Sequence, residues 1–538
     1  MSKGPNYNAL RGVFEPVISG PVSRDDAALA RLGKKPVLRR HFGFLTILGF
    51  SCTVLVTWEG SLMHVIPITT DVFSGGPTGI IVGYLIVWAG TFSIFIILSE
   101  LVSMAPTSGG QYHWVSMLSP PWCRRFLSYF TGWLTITGWQ AFVASAAFLT
   151  GSLIQGLVLL THPNYVNTMQ NWHGTLLFWA VILLAYGINS VIGSVLAKFE
   201  GVVLIIHILG FFIVILPLTL LGTKNEHEAV WNTWVNLGGW QTQGLSFCIG
   251  IIGNVFAFVG ADGAIHMSEE IRDAPLVVPR SLLTGLAVNG SLGFAMVVVT
   301  LYYVGDINEA LAENPLFPFM AIFKQALPAK VSGAATAMSV VPLIMSFSAT
   351  TGILASASRI YWAFARDRGL PGWRTIRKVN SKTSVPLYAV MVTVVISMCL
   401  SLINIGGSAA FNGAISISIA GLFGSYLITA SLLLYRRLRG DIRSPQASRD
   451  SQFANTTNSI LVWGPWRIKG LLGIANNLVA CLFLAFTFFF SFWPAFRDVT
   501  PQNMNWSILV SGTVILFSVS YYGLQARKVY TGPIVETL

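Results

Sequence analysis

Long apolar runs follow one another along this chain from residue 43 to about residue 525, separated by short polar segments. A bilayer span takes about 20 apolar residues, and windows of that length predict twelve spans. Leu, Ile, Phe and Gly dominate them without the alternation of apolar and polar residues seen in barrel strands, which predicts helices. The predicted spans lie near 43–70, 78–103, 126–160, 173–193, 200–222, 245–266, 280–304, 333–361, 385–404, 411–435, 470–493 and 506–524.

The composition agrees with this fold class, an all-α integral membrane protein with 12 transmembrane helices. Hydrophobic residues make up 54% of the 538 residues and charged residues only 10%, whereas soluble proteins carry about 25% charged residues. These values exclude a water-soluble globular enzyme, a disordered chain, collagen and a coiled coil. Residues 1–42 hold no apolar stretch ahead of a small-residue cleavage site, so we expect no cleaved signal peptide.

The net charge of +12 reports topology and not a nucleic-acid partner, because basic residues collect in the cytoplasmic loops of membrane proteins. We predict that both termini face the cytosol, with tails over 1–42 and 526–538 and a membrane domain over 43–525. The five cysteines are scattered without paired or metal-ligand spacing, so we expect no disulfide framework and no metal site. In this topology only four of the 33 Lys and Arg residues lie outside, namely Lys224, Lys324, Lys330 and Arg497.

Span 1 carries polar side chains where lipid disfavours them. An ionisable residue inside a span costs a few kcal/mol and marks a pathway by default. Trp58 and Glu59 could hold a cation between a ring face and a negative charge. The alternative is that Glu59 bonds a neighbouring helix or lies nearer the outer water.

Span 6 is interrupted by Gly260 and Gly263, which flank Asp262. This pattern is typical of an unwound segment that lines a cavity, where free backbone groups bind small charged solutes. The alternative is a glycine face that packs against another helix. Breaks in spans 1 and 6 are what an inverted five-plus-five repeat predicts, with repeats over about 43–222 and 245–435 and two peripheral helices over 470–525.

Two further polar features allow two interpretations each. His207 in span 5 titrates within reach of physiological proton gradients and could couple transport to protons, or it could be a satisfied core residue. The hydroxyls of span 8 could supply oxygen ligands to a cation, or bond back to their own helix. These hydroxyl residues are Ser346, Ser348, Thr350 and Thr351.

Several separated motifs, in order, resemble the amino acid, polyamine and organocation transporters, particularly the fungal amino acid and choline permeases that include GABA permeases. The resemblance runs from about residue 43 to about residue 525. The matching strings are Gly75-Gly76-Pro77, Ser99-Glu100-Leu101, residues 105–114 (APTSGGQYHW), residues 267–270 (MSEE), Val278-Pro279-Arg280 and residues 364–371 (FARDRGLP).

The resemblance implies ten core helices in two inverted halves plus two peripheral helices, and alternating access without ATP or a cofactor. In relatives the substrate amine is held by the unwound sixth helix, here residues 256–259, and the carboxylate by a glycine-containing break in helix 1. That break maps near residues 52–55, where this chain has no glycine, which favours ligands whose dominant handle is positive. A coupling lysine of bacterial relatives resembles His207 in position. Glu269 and Glu270 are expected to anchor a cytosolic gate through basic neighbours such as Arg272 or Arg280.

We therefore predict a secondary permease that imports an amino acid, GABA-like or other, or a small amine, coupled to protons in preference to sodium. The plasma membrane is the expected location, with an organelle such as the vacuole as the alternative. The predicted substrate-binding residues are Thr53, Val54, Leu55, Thr57, Trp58, Glu59, Phe256, Ala257, Phe258, Val259, Gly260 and Asp262, and the predicted ion-coupling residue is His207.

Three alternatives stay open at this point. The first is a permease for choline, a polyamine or a pathway metabolite. The second is a nutrient sensor with the same fold, for which the short predicted tails leave little room for a signalling domain. The third is a membrane enzyme, which would need a nucleophile and base or a metal cluster near one face, and the eight histidines show no such grouping.

Overall fold

The structure is a computed structural model that describes residues 23–65, 70–191, 196–328, 332–406, 409–445, 453–501 and 503–536. These residues are nearly all helical and form isolated β-bridges, such as Phe42 with Ile271, but no strand. The main helices are α1a (Phe44–Leu55), α1b (Thr57–Val65), α2 (Thr70–Met104), α3 (Arg124–Thr161), α4 (Asn171–Val191), α5 (Leu196–Leu221), α6a (Gln243–Phe256), α6b (Gly263–His266), α7 (Ala274–Tyr302), α8 (Ser332–Arg366), α9 (Leu387–Ser401), α10 (Ala409–Arg439), α11 (Gly470–Phe490) and α12 (Ser507–Tyr521).

Eleven helices within the described ranges are long and apolar enough to cross a membrane, and α6a is a shorter apolar helix of 14 residues. The prediction of an all-helical multi-pass membrane protein is confirmed. The sixth span is divided into α6a and α6b, which accounts for eleven long helices where twelve spans are predicted. The internal five-plus-five repeat stays a prediction.

The first predicted break lies at Val56, between α1a and α1b. Val56 adopts the left-handed conformation, with φ 40° and ψ 43°, which is a strained conformation for a β-branched residue. Its N–H still bonds the Cys52 carbonyl at 3.2 Å, so the helix turns without losing its last bond. The break therefore follows the expected region at residues 52–55 by one residue, and it forms without a glycine.

The second predicted break spans residues 257–262, between α6a and α6b. Gly260 has φ +94°, and a Cβ at this position would overlap the ring of Phe142. Both the backbone conformation and the close approach thus require glycine. The interpretation of Gly260 as part of an unwound segment is confirmed in its geometry.

The helices differ in how much lipid-facing surface they carry. α1a packs against α5, α7 and α8, and a Cβ on Gly49 would lie 2.5 Å from the Glu200 carbonyl oxygen of α5. In contrast, α11 and α12 expose large apolar side chains such as Leu471 at 83% and Leu516 at 71%. The broken helices are thus enclosed by the bundle, and the last two helices lie at its edge.

Candidate functional site

The two breaks meet directly in the middle of the bundle. The Thr57 hydroxyl, at the start of α1b, donates to the Ala257 carbonyl in the unwound segment of helix 6 at 3.0 Å. Both residues are buried. A side chain of one broken helix thus satisfies a carbonyl that the break in the other leaves outside the helical pattern.

Trp58, Glu59 and His207 converge next to this contact. The Nδ1 atom of His207 lies 2.8 Å from Glu59 Oε1 and 3.1 Å from Trp58 Nε1, and all three residues are 0% exposed. The Trp58 Nε1–H donates to His207 Nδ1, and the same nitrogen lies within hydrogen-bond distance of Glu59 Oε1. Glu59 and His207 therefore form a buried acid–imidazole pair at the break of helix 1.

The outer atoms of this pair are free in the part of the chain that the structure describes. Glu59 Oε2 and His207 Nε2 are buried and have no hydrogen-bond partner there. Buried polar atoms are nearly always partnered. These two atoms can therefore accept a proton from, or donate one to, a substrate or a water molecule.

Asp262 has a different environment from Glu59. Its Oδ2 accepts from Gln111 Nε2 at 3.0 Å and lies 3.5 Å from His266 Nε2. His266 Nδ1–H in turn donates to the Ser108 carbonyl at 3.0 Å. The partners of Asp262 thus come from the segment after α2 and from α6b, and the Tyr426 hydroxyl of α10 also neighbours it. Glu59, in contrast, is paired with α5.

The other predicted site residues line the two breaks. Val54 packs next to Gly260, and the ring of Phe256 lies edge-on to Phe142 with centroids 5.9 Å apart. The ring centroid of Phe258 lies 5.2 Å from that of Tyr84. The predicted substrate residues are all buried, and even Phe256 is only 9% exposed, so the site is closed to solvent.

The predicted cation site between the Trp58 ring face and Glu59 has a different geometry. The indole nitrogen of Trp58 points at His207, and the ring lies edge-on to Phe211 with centroids 6.0 Å apart. Trp58 therefore positions the His207 imidazole. Its role toward a substrate stays a prediction.

Sequence reasoning missed Glu200, a fully buried carboxylate on α5. The predicted span 5 begins at residue 200, which places this side chain at the membrane surface. The helix begins at Leu196, so Glu200 is one turn inside the bundle. The predicted span 200–222 holds this acidic residue at its first position, and only a start at Leu196 moves the residue inside the helix.

The hydroxyls of span 8 donate mainly to carbonyls of their own helix. This agrees with the second interpretation given above and not with ligands for a cation. Ser348, Thr350 and Thr351 donate to the carbonyls four residues earlier, at 2.9, 2.9 and 3.1 Å. The Ser346 hydroxyl instead contacts Thr150 of α3 at 2.8 Å. This cluster joins α3 to α8.

Glu269 and Glu270 lie at the end of the bundle where the described segments 23–43 and 527–536 meet, which is called the terminal end below. Arg366 binds both oxygens of Glu269 at 2.8 and 2.9 Å, and Arg359 Nε donates to Glu270 at 2.8 Å. Burial raises the pKa of Glu269, but the Arg366 guanidinium outweighs this effect and holds the pKa below its usual value. The prediction of Arg272 or Arg280 as partners is wrong. The arginines that bind the two glutamates are Arg359 and Arg366, which come from α8 and reach across the bundle.

A multi-pass helical membrane protein with two broken helices that meet at buried polar residues belongs to the structural class of membrane transporters. The profile of the family described as amino acid permease matches residues 42–516. The chain belongs to this amino acid permease family, and the resemblance found from the motifs is confirmed.

Fungal proteins are similar to this chain over most of its length. An uncharacterized amino-acid permease of Schizosaccharomyces pombe is 29% identical over 98% of this chain and 93% of its own. The choline transporter of Saccharomyces cerevisiae is 28% identical over 91% of this chain and 82% of its own. A Macrophomina phaseolina protein named as an amino acid/polyamine transporter is 28% identical over 86% of this chain and 97% of its own.

Proposed function

We propose that this permease imports a small amine or an amino acid together with protons, by alternating access around the two helix breaks. The observation that carries the proposal is the fully buried contact between Glu59 Oε1 and His207 Nδ1 at the break of helix 1, with the two atoms 2.8 Å apart. A buried pair of an acid and an imidazole is a means of linking substrate binding to a proton gradient.

The pair and the substrate would exchange charge. A cationic amine beside Glu59 favours the ionised carboxylate, so the proton moves within the pair to His207, which holds it while the substrate is bound and releases it through Nε2 on the inner side. The carbonyls of the unwound residues 257–262 supply further acceptors for the amine. Without a bound cation, a proton held by the pair keeps it from carrying an uncompensated buried charge.

The break of helix 1 bears on the chemical class of the substrate. It forms at Val56 and without a glycine, and the β-branched side chain restricts close approach of a substrate carboxylate to the backbone. In this proposal the ring of Phe256 offers a face to the cation, and such a face carries more of the binding when the ammonium is quaternary. A substrate with a dominant positive charge, choline or another small amine, fits best, and GABA or another amino acid is the second candidate.

The orientation follows from the charge distribution. Both termini are proposed to face the cytosol of a fungal-type cell, with the permease in the plasma membrane. The N-terminal segment lies against the C-terminal one, where the Glu536 N–H donates to the Gly33 carbonyl at 2.7 Å. Both segments thus lie at one end of the bundle, which supports a common side for them.

Uptake assays test this function in cells that lack their own permeases. Labelled choline, GABA and a set of neutral amino acids are offered at acidic and at neutral external pH. We expect accumulation of at least one compound, larger at acidic pH, and its loss in Glu59→Gln and His207→Gln. Glu226→Gln and His162→Gln change exposed residues and serve as matched controls that keep wild-type uptake.

Each other result has a distinct meaning. Uptake equal to that of vector-only cells for every compound would replace the permease by a nutrient sensor with the same fold. Uptake that ignores pH but requires sodium would remove His207 from coupling and point to the α8 hydroxyls. A Glu59→Gln protein with full affinity would remove that carboxylate from the site.

A further inference from the structure

Glu200 is a buried carboxylate that the proposed exchange at the breaks does not use. It lies on α5, is 0% exposed, and neither of its oxygens has a hydrogen-bond partner among the described residues. Its side chain is enclosed by α1a and α8, since a Cβ on Gly352 of α8 would lie 3.6 Å from Glu200 Oε1. The Thr53 hydroxyl neighbours it but donates to the Gly49 carbonyl at 2.8 Å.

An ionised carboxylate is unstable in such a place. Burying a charge without a partner is strongly unfavourable. A buried carboxylate whose oxygens have no donor therefore takes up a proton or a cation. The ion pairs of the described residues do not include Glu200. The protonated acid is therefore the form that this enclosure stabilises.

The charged groups of the surrounding helices either form ion pairs with residues other than Glu200 or are exposed. Arg359 and Arg366 of α8 bind Glu270 and Glu269, Lys324 binds Glu313, and Lys198 and Arg280 are exposed. The remaining titratable side chains on α1a, α7 and α8 are neutral hydroxyl or thiol groups. The full set on the helices packed against α5 is Cys52, Arg280, Tyr302, Lys324, Arg359, Tyr361 and Arg366, with Lys198 and His207 on α5 itself and Glu59 of α1b against His207.

Glu200 and His207 share one face of α5. Residues seven apart in a helix are two turns apart, about 10 Å along the axis, and point in nearly the same direction. His207 meets the break of helix 1, whereas Glu200 lies one turn from the Leu196 end, against α1a. A movement of α1a about Val56 would therefore change the surroundings of Glu200 and admit water between the two sites.

We propose that Glu200 is a second proton-binding site, which releases a proton at the terminal end of the bundle and is reloaded by the proton that leaves His207. When α1a moves, Glu200 breaks its O–H bond, releases that proton to water as hydronium and becomes a carboxylate. The proton that leaves the imidazolium nitrogen of His207 then passes through water and forms the O–H bond on Glu200 again. This proposal rests on the proton coupling proposed above.

Glu200→Gln and Glu200→Asp test the proposal. Glutamine copies the protonated acid in shape but cannot exchange a proton, and aspartate keeps the exchange. We expect Glu200→Gln to lose pH-driven accumulation of labelled choline or GABA, whichever the wild type takes up, and to keep exchange of labelled for unlabelled substrate across equal concentrations. Glu200→Asp should retain part of the pH-driven accumulation. Wild-type accumulation by Glu200→Gln, or loss of exchange together with accumulation in both variants, would overturn the proposal.

Infrared difference spectroscopy of the purified protein tests the same site without transport. We expect the C=O stretch of a protonated carboxylic acid in the wild type, shifted in heavy water and absent from Glu200→Gln, with Glu59→Gln recorded to separate the two acids. An unchanged band in Glu200→Gln would overturn the proposal even if the variant folds poorly in cells. Failure of the proposed function would look different, because uptake by the wild type itself would then ignore pH while the infrared band of Glu200 persists.

Discussion

The middle of the bundle and its terminal end both hold buried ionisable side chains, which are paired at the terminal end and incompletely paired in the middle. At the terminal end every charge of the main cluster has a close partner: Arg366 is bidentate on Glu269, and Lys34 Nζ lies 2.6 Å from Asp367. In the middle, Glu59 and Glu200 keep buried oxygens that have no partner within the described ranges.

The terminal cluster is also joined by neutral donors from distant segments. Asp367 accepts from the Tyr112 hydroxyl at 2.7 Å and from the Ile534 N–H at 2.9 Å. A paired polar network rigidifies a structure, and the ion pairs of this end are closed even though Arg366 Nε has no partner within the described ranges. The difference is consistent with an end that holds the molecule together and a middle that carries the proposed exchange.

Arg366→Met should have the largest effect, because it leaves Glu269 buried without its cation. Removing one partner of a buried pair costs about 3–5 kcal/mol, and Arg366 also stacks on Trp362 at 4.4 Å. We expect a large loss of thermal stability in detergent, measured by the melting temperature of the purified protein.

The double variant Arg366→Met with Glu269→Gln separates charge from packing. The amide oxygen of the substituted glutamine would still accept from the Ser108 N–H, which now donates to Glu269 at 3.1 Å. Partial recovery of the melting temperature is expected, and Arg374→Met at an exposed position should leave it unchanged. If the double variant is no more stable than the single one, the pair is not what holds this end.

His113 gives the terminal end a pH dependence. Burial, with help from the charge of Lys34, lowers the pKa of His113 to about 4 from the ordinary 6.5. Between these values the unfolded chain binds a proton that the folded chain does not, so stability is complete above about pH 6.5 and falls as pH drops toward 4. The loss amounts to about 3 kcal/mol.

His113→Gln should flatten this dependence, because glutamine stays neutral at every pH. Its amide can still donate to the Asn455 carbonyl, which lies 3.2 Å from His113 Nε2. Melting temperatures measured across this pH range should decline less steeply than those of the wild type, while His162→Gln at an exposed position should follow the wild type. Parallel curves for wild type and His113→Gln would assign the acid sensitivity elsewhere.

Gly260→Ala tests the break of helix 6. Alanine at φ +94° is strained and its methyl group meets Phe142, a combination that costs about 1–3 kcal/mol. We expect a lower melting temperature and reduced substrate uptake. Gly244→Ala is the matched control on α6a. Apart from its chain neighbours and the nearby backbone of its own helix, no atom of the described residues lies within 4 Å of a Cβ at Gly244. Equal behaviour of the two variants would mean that the break tolerates a side chain.

How much of this could be read from the sequence depends on whether the signal is local. The spans and the break of helix 6 rest on local patterns, such as the glycines around Asp262, and they appear in the structure close to where they are predicted. The position of the helix 1 break near residues 52–55 comes from the family resemblance. The left-handed Val56 is harder to foresee, because its conformation is held by the surrounding helices against the preference of valine.

Pairings between distant residues lie beyond local patterns. Glu59 and His207 are 148 positions apart, and their contact is decided by how the first helix packs on α5. The same holds for Arg359 and Arg366, which bind the two glutamates in place of the nearer Arg272 and Arg280. Glu200 was missed for a smaller reason, a helix that starts at Leu196 and not at residue 200.

The smallest predicted effect joins the two breaks. Thr57→Val removes the hydroxyl that donates to Ala257 and keeps the shape of the side chain, so a stability loss of about 1 kcal/mol is expected for one neutral hydrogen bond. We expect a larger loss of transport than of stability. The Ala257 carbonyl loses its Thr57 donor and then competes with the other acceptors of the site for the substrate amine. Ser61→Ala, which removes a bond to the Thr57 carbonyl of its own helix at 2.7 Å, is the matched control. A Thr57→Val protein with wild-type apparent affinity and rate would show that the bond links the helices without shaping the site.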